Sequence, residues 1–314
     1  MDDFTLVVPI RDRHYNLKCI CSYYKDLDCR KIIIDSSKNQ FDNEELIKSS
    51  GFEYVYYGPT MYIEKMHKIY HDLVNTEFVL DCSDDDIVLK RSIKECVQFL
   101  RYNHHYSACD GQNIWLDKKN RHVFEKHPNK FFGPLKEDFT SPYAKDRVWF
   151  EFNCCMTKQH SVIRTEVALK TWDILKNYPP LHPMAFIERF HVFVTAIMGN
   201  SKKLPLIFNI RESSYDRVIH RDDIQDEFML DIEFIDNLDD LHLKPFVELL
   251  VENDHELSYS EAFEFIERLI KNQLKGEGDA CHINTENWPI RLKWPNETNK
   301  HNQDIQEAIN AMLI

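Results

Sequence analysis

Four short, nearly unbroken apolar runs near the start of the chain limit its fold more than any other feature. They fall at residues 4–10, 31–35, 53–57 and 77–80. Runs this short and this apolar are expected of strands buried on both faces of a parallel sheet. Between them the apolar residues recur at helical spacing, at Leu17, Ile20 and Tyr24, and again at Ile63, Met66, Ile69 and Tyr70. Residues 44–50 make a further short helix. The order β-α-β-α-β-α-β with short links predicts a doubly wound α/β fold around a mostly parallel sheet. Pro9, with no N–H to donate, is expected to stop pairing near the end of the first strand and start a turn.

The fourth run leads into Asp81-Cys82-Ser83-Asp84-Asp85-Asp86, and then into a helical face through Ile93, Val97 and Leu100. Open α/β sheets bind ligands outside the carboxyl ends of their strands, where these acids fall. Three adjacent carboxylates repel one another at neutral pH. Either they splay into water and cap the following helix, or they hold a hard divalent cation such as Mg²⁺ or Mn²⁺.

Composition narrows the choice of ligand. A formal net charge of −13 argues against a general nucleic-acid surface. The same charge repels any phosphorylated ligand, so local arginines or a metal would have to reverse the field. With only seven glycines there is no Gly-x-Gly-x-x-Gly and no phosphate loop ending in Gly-Lys-Ser/Thr, which sets aside ordinary dinucleotide and P-loop enzymes. The nine cysteines include no Cys-x-x-Cys pair, and they read as reduced thiols of a cytoplasmic protein. No apolar stretch approaches the roughly 18 to 20 residues of a membrane span. The acidic start, Met1-Asp2-Asp3, does not read as a signal peptide.

Beyond Leu100 the pattern changes. Residues 106–109 read as a strand, Asp110-Gly111-Gln112 as a turn and Ile114-Trp115-Leu116 as the hairpin partner. Residues 118–147 read as a long irregular excursion, and 148–152 as another strand. Helices are expected at 164–175 and 183–198, the second stopped by Gly199-Asn200. A last strand covers 206–211. After about residue 222 the chain reads as helical and acidic, with an amphipathic stretch at 258–274 and a short final helix. This divides the chain into 1–222, with a nucleotide-binding half (1–100) and an acceptor half (101–222), and a helical C-terminal region, 223–314.

Three features, in order, carry a family resemblance. Val7-Val8-Pro9-Ile10-Arg11-Asp12-Arg13 is similar to the Pro-Thr-x-Asn-Arg opening of GT-A glycosyltransferases of the family 2 type. Ile32-Ile33-Ile34-Asp35-Ser36-Ser37 resembles their strand-two acid, and Asp84-Asp85-Asp86 resembles their Asp-x-Asp signature. The likeness covers the first third of the chain well, the stretch to Arg211 loosely, and the last hundred or so residues not at all. It implies the GT-A fold and a metal-dependent, inverting transfer of sugar from a nucleotide diphosphate donor (UDP- or GDP-sugar) to a glycan or protein acceptor.

Under this resemblance Asp84 and Asp86 hold Mn²⁺ or Mg²⁺, which stabilises the leaving diphosphate, and Asp85 turns toward the sugar. Asp35 accepts a hydrogen bond from the base. Pro9, Arg11 and Arg13 line the donor crevice, and Arg211 reaches the diphosphate. Asp110 and Gln112 face the acceptor, and His220 is a late metal ligand. The acceptor hydroxyl needs a base, for which Glu188 is the candidate. Its helix is apolar on nearly every face, so an ionised acid there is costly unless it is paired or opens onto a cleft. Relatives carry Glu-Asp where this chain has Glu188-Arg189. Each residue also has a plainer role: turn residues for Arg11, Arg13 and Asp35, an ion pair with Arg189 for Glu188, a hairpin for Asp110 and Gln112, and a solvated loop for His220. The alternative function is a non-catalytic module that binds a sugar nucleotide or recruits a partner on the same fold.

Overall fold

The computed structural model describes residues 1–117, 122–124, 138–153, 160–177, 184–212, 240–274 and 299–313. The first part follows the predicted order: β1 (Phe4–Ile10), α1 (Leu17–Tyr24), β2 (Arg30–Asp35), α2 (Glu44–Ser50), β3 (Glu53–Tyr56), α3 (Tyr62–Asp72) and β4 (Phe78–Asp81). Next come β5 (Ile87–Val88), α4 (Lys90–Tyr102), β6 (Tyr106–Asp117), β7 (His122–Phe124), β8 (Asp138–Phe139) and α5 (Ala144–Asn153). The remainder is β9 (Val162–Arg164), α6 (Thr165–Lys176), α7 (Met184–Met198), β10 (Asn200–Glu212), α8 (Asp240–Asn253), α9 (Tyr259–Leu274) and α10 (Asn299–Met312).

The strands form one sheet in the order β3-β2-β1-β4-β9-β6-β10-β5, with β7 added beside β6 and β8 beside β10. β1, β2, β3 and β4 are mutually parallel. β9 runs antiparallel between β4 and β6, which restores the original direction in β6 and its parallel neighbour β10. β5 closes the edge antiparallel to β10. This is an α/β fold on a mostly parallel sheet.

Successive residues of a strand face opposite sides, and both sides of this sheet are covered. Val7, Ile32 and Ile34 pack with Met66, Trp172, Phe193, Phe246 and Ile266, in a layer built from α3, α5, α6, α7, α8 and α9. Leu6, Val8 and Ile33 pack with Ile20, Val97 and Ile305, from α1, α4 and α10. Burial on both faces is the physical reason β1, β2 and β4 read as unbroken apolar runs, while β3, at the sheet edge, is only half-buried. The C-terminal helices contribute to both layers. Among the described residues no helix is long and apolar enough to cross a membrane.

Two local readings are corrected. Asp110-Gly111-Gln112 is not a turn but the middle of β6, whose hairpin partner is β7. The glycine is required by close approach of β10: a Cβ at position 111 would stand 2.5 Å from the carbonyl oxygen of Leu206. Residues 148–152 lie in α5, not in a strand. Ala144, Val148 and Phe152, four apart, are buried, while Trp149 is 44% exposed, which is a helical face.

Candidate functional site

The crevice opens because of Pro9. The β1–β4 ladder ends at Val7 and Asp81, with one more bond from the Cys82 N–H to the Val7 carbonyl, 2.9 Å. Peptide groups two apart on a strand face the same neighbour, so Pro9 turns toward β4 a position that has no N–H. On the other side β1 stays paired with β2 through Ile10 and Asp35. Pro9 thus ends pairing on one side only, and the strand runs on to Ile10. The strand order also reverses here: β2 and β3 lie to one side of β1, and β4 lies to the other. Such a switch point is where open α/β sheets take their ligands.

The side chains around this gap come from four elements. Arg13, after β1, reaches across it to Asp84 and donates to Asp85 at 3.1 Å. Asn16 donates to the second oxygen of Asp84 at 3.2 Å, and the Ser83 hydroxyl donates to Asp85. On the far side, Arg211 from β10 donates to Asp86 at 3.0 Å, and the Glu212 N–H adds a bond of 3.2 Å. Burial pushes the Asp84 carboxyl up to about 7, against the opposing pull of Arg13. Asp84 and Asp85 thus share one guanidinium, while Asp86 turns away to Arg211. Arg13 and Arg211 supply the local positive charge that the net charge of the chain made necessary.

Asp35 is fully buried. Its Oδ1 accepts from the Ser37 N–H at 2.7 Å, and its Oδ2 accepts from the Tyr54 hydroxyl and stands 2.7 Å from His14 Nε2. Burial raises its pKa, but these hydrogen bonds outweigh burial and hold it below the usual carboxylate range. The loop beyond it is tied back by bonds from the Asp12 N–H to Ser37 Oγ (2.7 Å) and from the Lys38 N–H to Asp12 Oδ1 (2.9 Å). Asp12 adopts a positive φ of 54° there, which Asp tolerates better than most residues. Asp35 therefore already has a scaffolding role. Asp35→Ala is expected to lower stability by about 1 to 3 kcal/mol, because it strands the buried Ser37 N–H and takes away the acceptor of the Tyr54 hydroxyl. Urea unfolding measures this, and an unchanged midpoint would refute the scaffolding role.

Lys65 is a site residue that the motifs do not announce. It is only 2% exposed, and its ammonium donates to Ser36 Oγ at 2.8 Å, immediately beyond Asp35. Burial pulls its pKa down to about 8, and nearby Arg11 pulls the same way while Asp35 and Asp84 oppose them. The available signal was periodicity. Lys65 stands three residues after Tyr62 and four before Ile69, on the apolar face of α3, where a lysine has to find a polar partner. Asn16, His14 and Tyr54 carried no such signal, since their partners lie 19 to 68 residues away.

Asp81, at the tip of β4, is buried beneath the gap and accepts from the Tyr70 hydroxyl at 2.7 Å. Burial pushes its carboxyl up to about 7. On β6, Asp110 accepts from the Ser161 hydroxyl at 2.8 Å and lies 3.9 Å from Lys203, and half-buried Gln112 follows two residues on, where the pairing with β10 is irregular. Glu188 is half-buried on α7, between Ile187 and Phe190. Because α7 enters β10 through Gly199, and β10 begins beside Tyr106 at the start of β6, the first turns of α7 lie toward the carboxyl ends of the strands. Arg11 is exposed at the rim. His220 and the Arg189 side chain lie outside the described residues.

No protein-family model matches this chain, and no curated protein matches it. Among solved structures it is similar to a CMP:2-keto-3-deoxy-manno-octonic acid synthetase complexed with CTP, at 9% identity and a TM-score of 0.40, over 68% of this chain and 91% of that chain.

Proposed function

We propose that this chain is a glycosyltransferase that binds a nucleotide diphosphate sugar in the gap between β1 and β4 and transfers the sugar, with inversion, to a glycan or protein hydroxyl. One observation carries the reading: Arg13 spans the switch point of the sheet to meet Asp84 and Asp85. A diphosphate seated there meets Arg13 from the turn after β1, Arg211 from β10 and, at the rim, Arg11, all able to donate to phosphate oxygens. Lys65 stands behind them as a buried cation fixed by Ser36.

The donor set suits a divalent ion in its chemistry, since adjacent carboxylate oxygens are the hard ligands that Mn²⁺ and Mg²⁺ take. Asp84 and Asp86 would hold it, with Asp85 beside them. When bound, the ion supplies charge stabilisation to the departing diphosphate. The acids that Arg13 and Arg211 now engage would turn to the ion, which frees both guanidiniums for phosphate. Asp35 keeps its scaffolding bonds and orients the base-side wall, and Glu188 takes the proton of the acceptor hydroxyl.

The test is calorimetric titration of UDP and GDP in chelator and in Mn²⁺ or Mg²⁺. Affinity should be much stronger with metal, because diphosphate and three aspartates repel. Equal affinity in both would remove Asp84 and Asp86 as metal ligands. Release of free nucleotide diphosphate from a sugar donor in the presence of acceptor separates an enzyme from a non-catalytic binding module.

A further inference from the structure

A second cluster of ligating side chains lies away from the crevice, on the outer flank of α3. His67 and His71 are four residues apart and therefore share one face of the helix, one turn above the other. That face is turned toward α6, where Trp172 is buried against Tyr62 and Tyr70 and the next residue, Asp173, emerges beside the histidines. His67 Nε2 is 3.1 Å and His71 Nε2 is 2.7 Å from the same oxygen, Asp173 Oδ1. The two imidazole centroids are 4.4 Å apart, and one ligand atom from each of the three residues falls within 4.8 Å of the others.

We propose that His67, His71 and Asp173 form a binding site for a borderline divalent transition metal of the Zn²⁺ class, which staples α3 to α6. Two imidazoles and one carboxylate suit such an ion, whereas Mg²⁺ and Ca²⁺ prefer oxygen alone. Donors held at about 2.0 to 2.1 Å from a tetrahedral ion stand about 3.3 Å from one another. The two histidine–carboxylate distances, 2.7 and 3.1 Å, lie close to that spacing, and the three ligand atoms all fall within 4.8 Å of one another. His71 and Asp173 are 42% and 47% exposed, so both can open the remaining few tenths of an ångström by small rotations, and water can complete the coordination. Asp173 supplies the anionic charge, while Lys176 acts on His67 from the same helix and opposes a cation. All three ligands are thus needed. The staple braces α3, the helix that carries Lys65 into the crevice, and it stands whether or not the crevice transfers sugar.

The experiment uses full-length protein stripped with chelator, titrated with Zn²⁺, with Co²⁺ as a spectroscopic probe and with Mg²⁺ as control. One equivalent of Zn²⁺ should bind and raise the melting temperature by about 4 °C at a hundredfold excess over Kd. Co²⁺ should give visible absorption, and Mg²⁺ should do neither. His71→Ala and Asp173→Ala, both changes at half-exposed positions, should melt like wild type in chelator. Each should weaken Zn²⁺ binding at least about 100-fold, since loss of a ligand costs no less than loss of the groups that orient one. No Zn²⁺ binding to wild type would overturn the proposal. So would undiminished binding in both variants, which would put the ion elsewhere.

Discussion

Glu188→Gln is expected to leave donor affinity and melting temperature near those of the wild type while lowering the transfer rate by roughly 10²- to 10⁴-fold, the usual loss on removing a general base. The amide keeps the volume of the carboxyl and its place on α7, between buried Ile187 and Phe190. It cannot accept the acceptor proton. A scaffolding acid would behave differently, because losing one member of a buried ion pair costs about 3 to 5 kcal/mol. Melting temperature, donor affinity and rate should be measured on one preparation. Normal transfer by a stable variant removes Glu188 from the mechanism, and a large fall in melting temperature assigns it to the fold.

Asp81→Asn is expected to flatten the dependence of stability on pH between about pH 4 and 7. The Asp81 carboxyl, ordinarily near 3.8, is pushed up to about 7 by burial. Between those values the folded chain keeps a proton that the unfolded chain has released, so stability falls as the pH rises through this window. Above pH 7 both states are ionised and the full penalty remains, on the order of 4 kcal/mol. Below pH 4 both are protonated and the penalty vanishes. The amide of the variant cannot ionise, and its oxygen can still accept the Tyr70 hydroxyl bond. Asp84, raised by burial to about the same value, leaves a residual slope in the variant. Urea unfolding at pH 4.5, 6 and 8 reads the effect. Parallel curves for wild type and variant would show that Asp81 is ionised in the folded protein throughout.

The first half of the sheet can be read from the amino-acid pattern alone. Strands covered on both faces must be apolar throughout, and helices covered on one must repeat at 3.6 residues, so β1, β2, β4 and α1 to α4 are legible from period, and β3, half-buried at the edge, from its aromatic and β-branched residues. The placement of Asp35 and of Asp84 to Asp86 at strand ends followed from the same reading. Where a segment satisfies two periods, the pattern fails. Val148 and Phe152 fit a strand of alternate residues as well as a helix face, and only packing in the α5 layer chose the helix. Gly111 carries the mark of a turn, yet the approach of Leu206 makes it a strand residue.

The site itself was decided by the tertiary structure. Arg13 meets Asp84 across 71 residues and Arg211 meets Asp86 across 125, because the order β3-β2-β1-β4-β9-β6-β10-β5 sets strand ends side by side that are far apart in the chain. His67, His71 and Asp173 converge for the same reason, over 106 and 102 residues. Periodicity records which face of an element is buried. It does not record what that face meets, and the charges that neutralise one another here come from elements that only the folded sheet brings into contact.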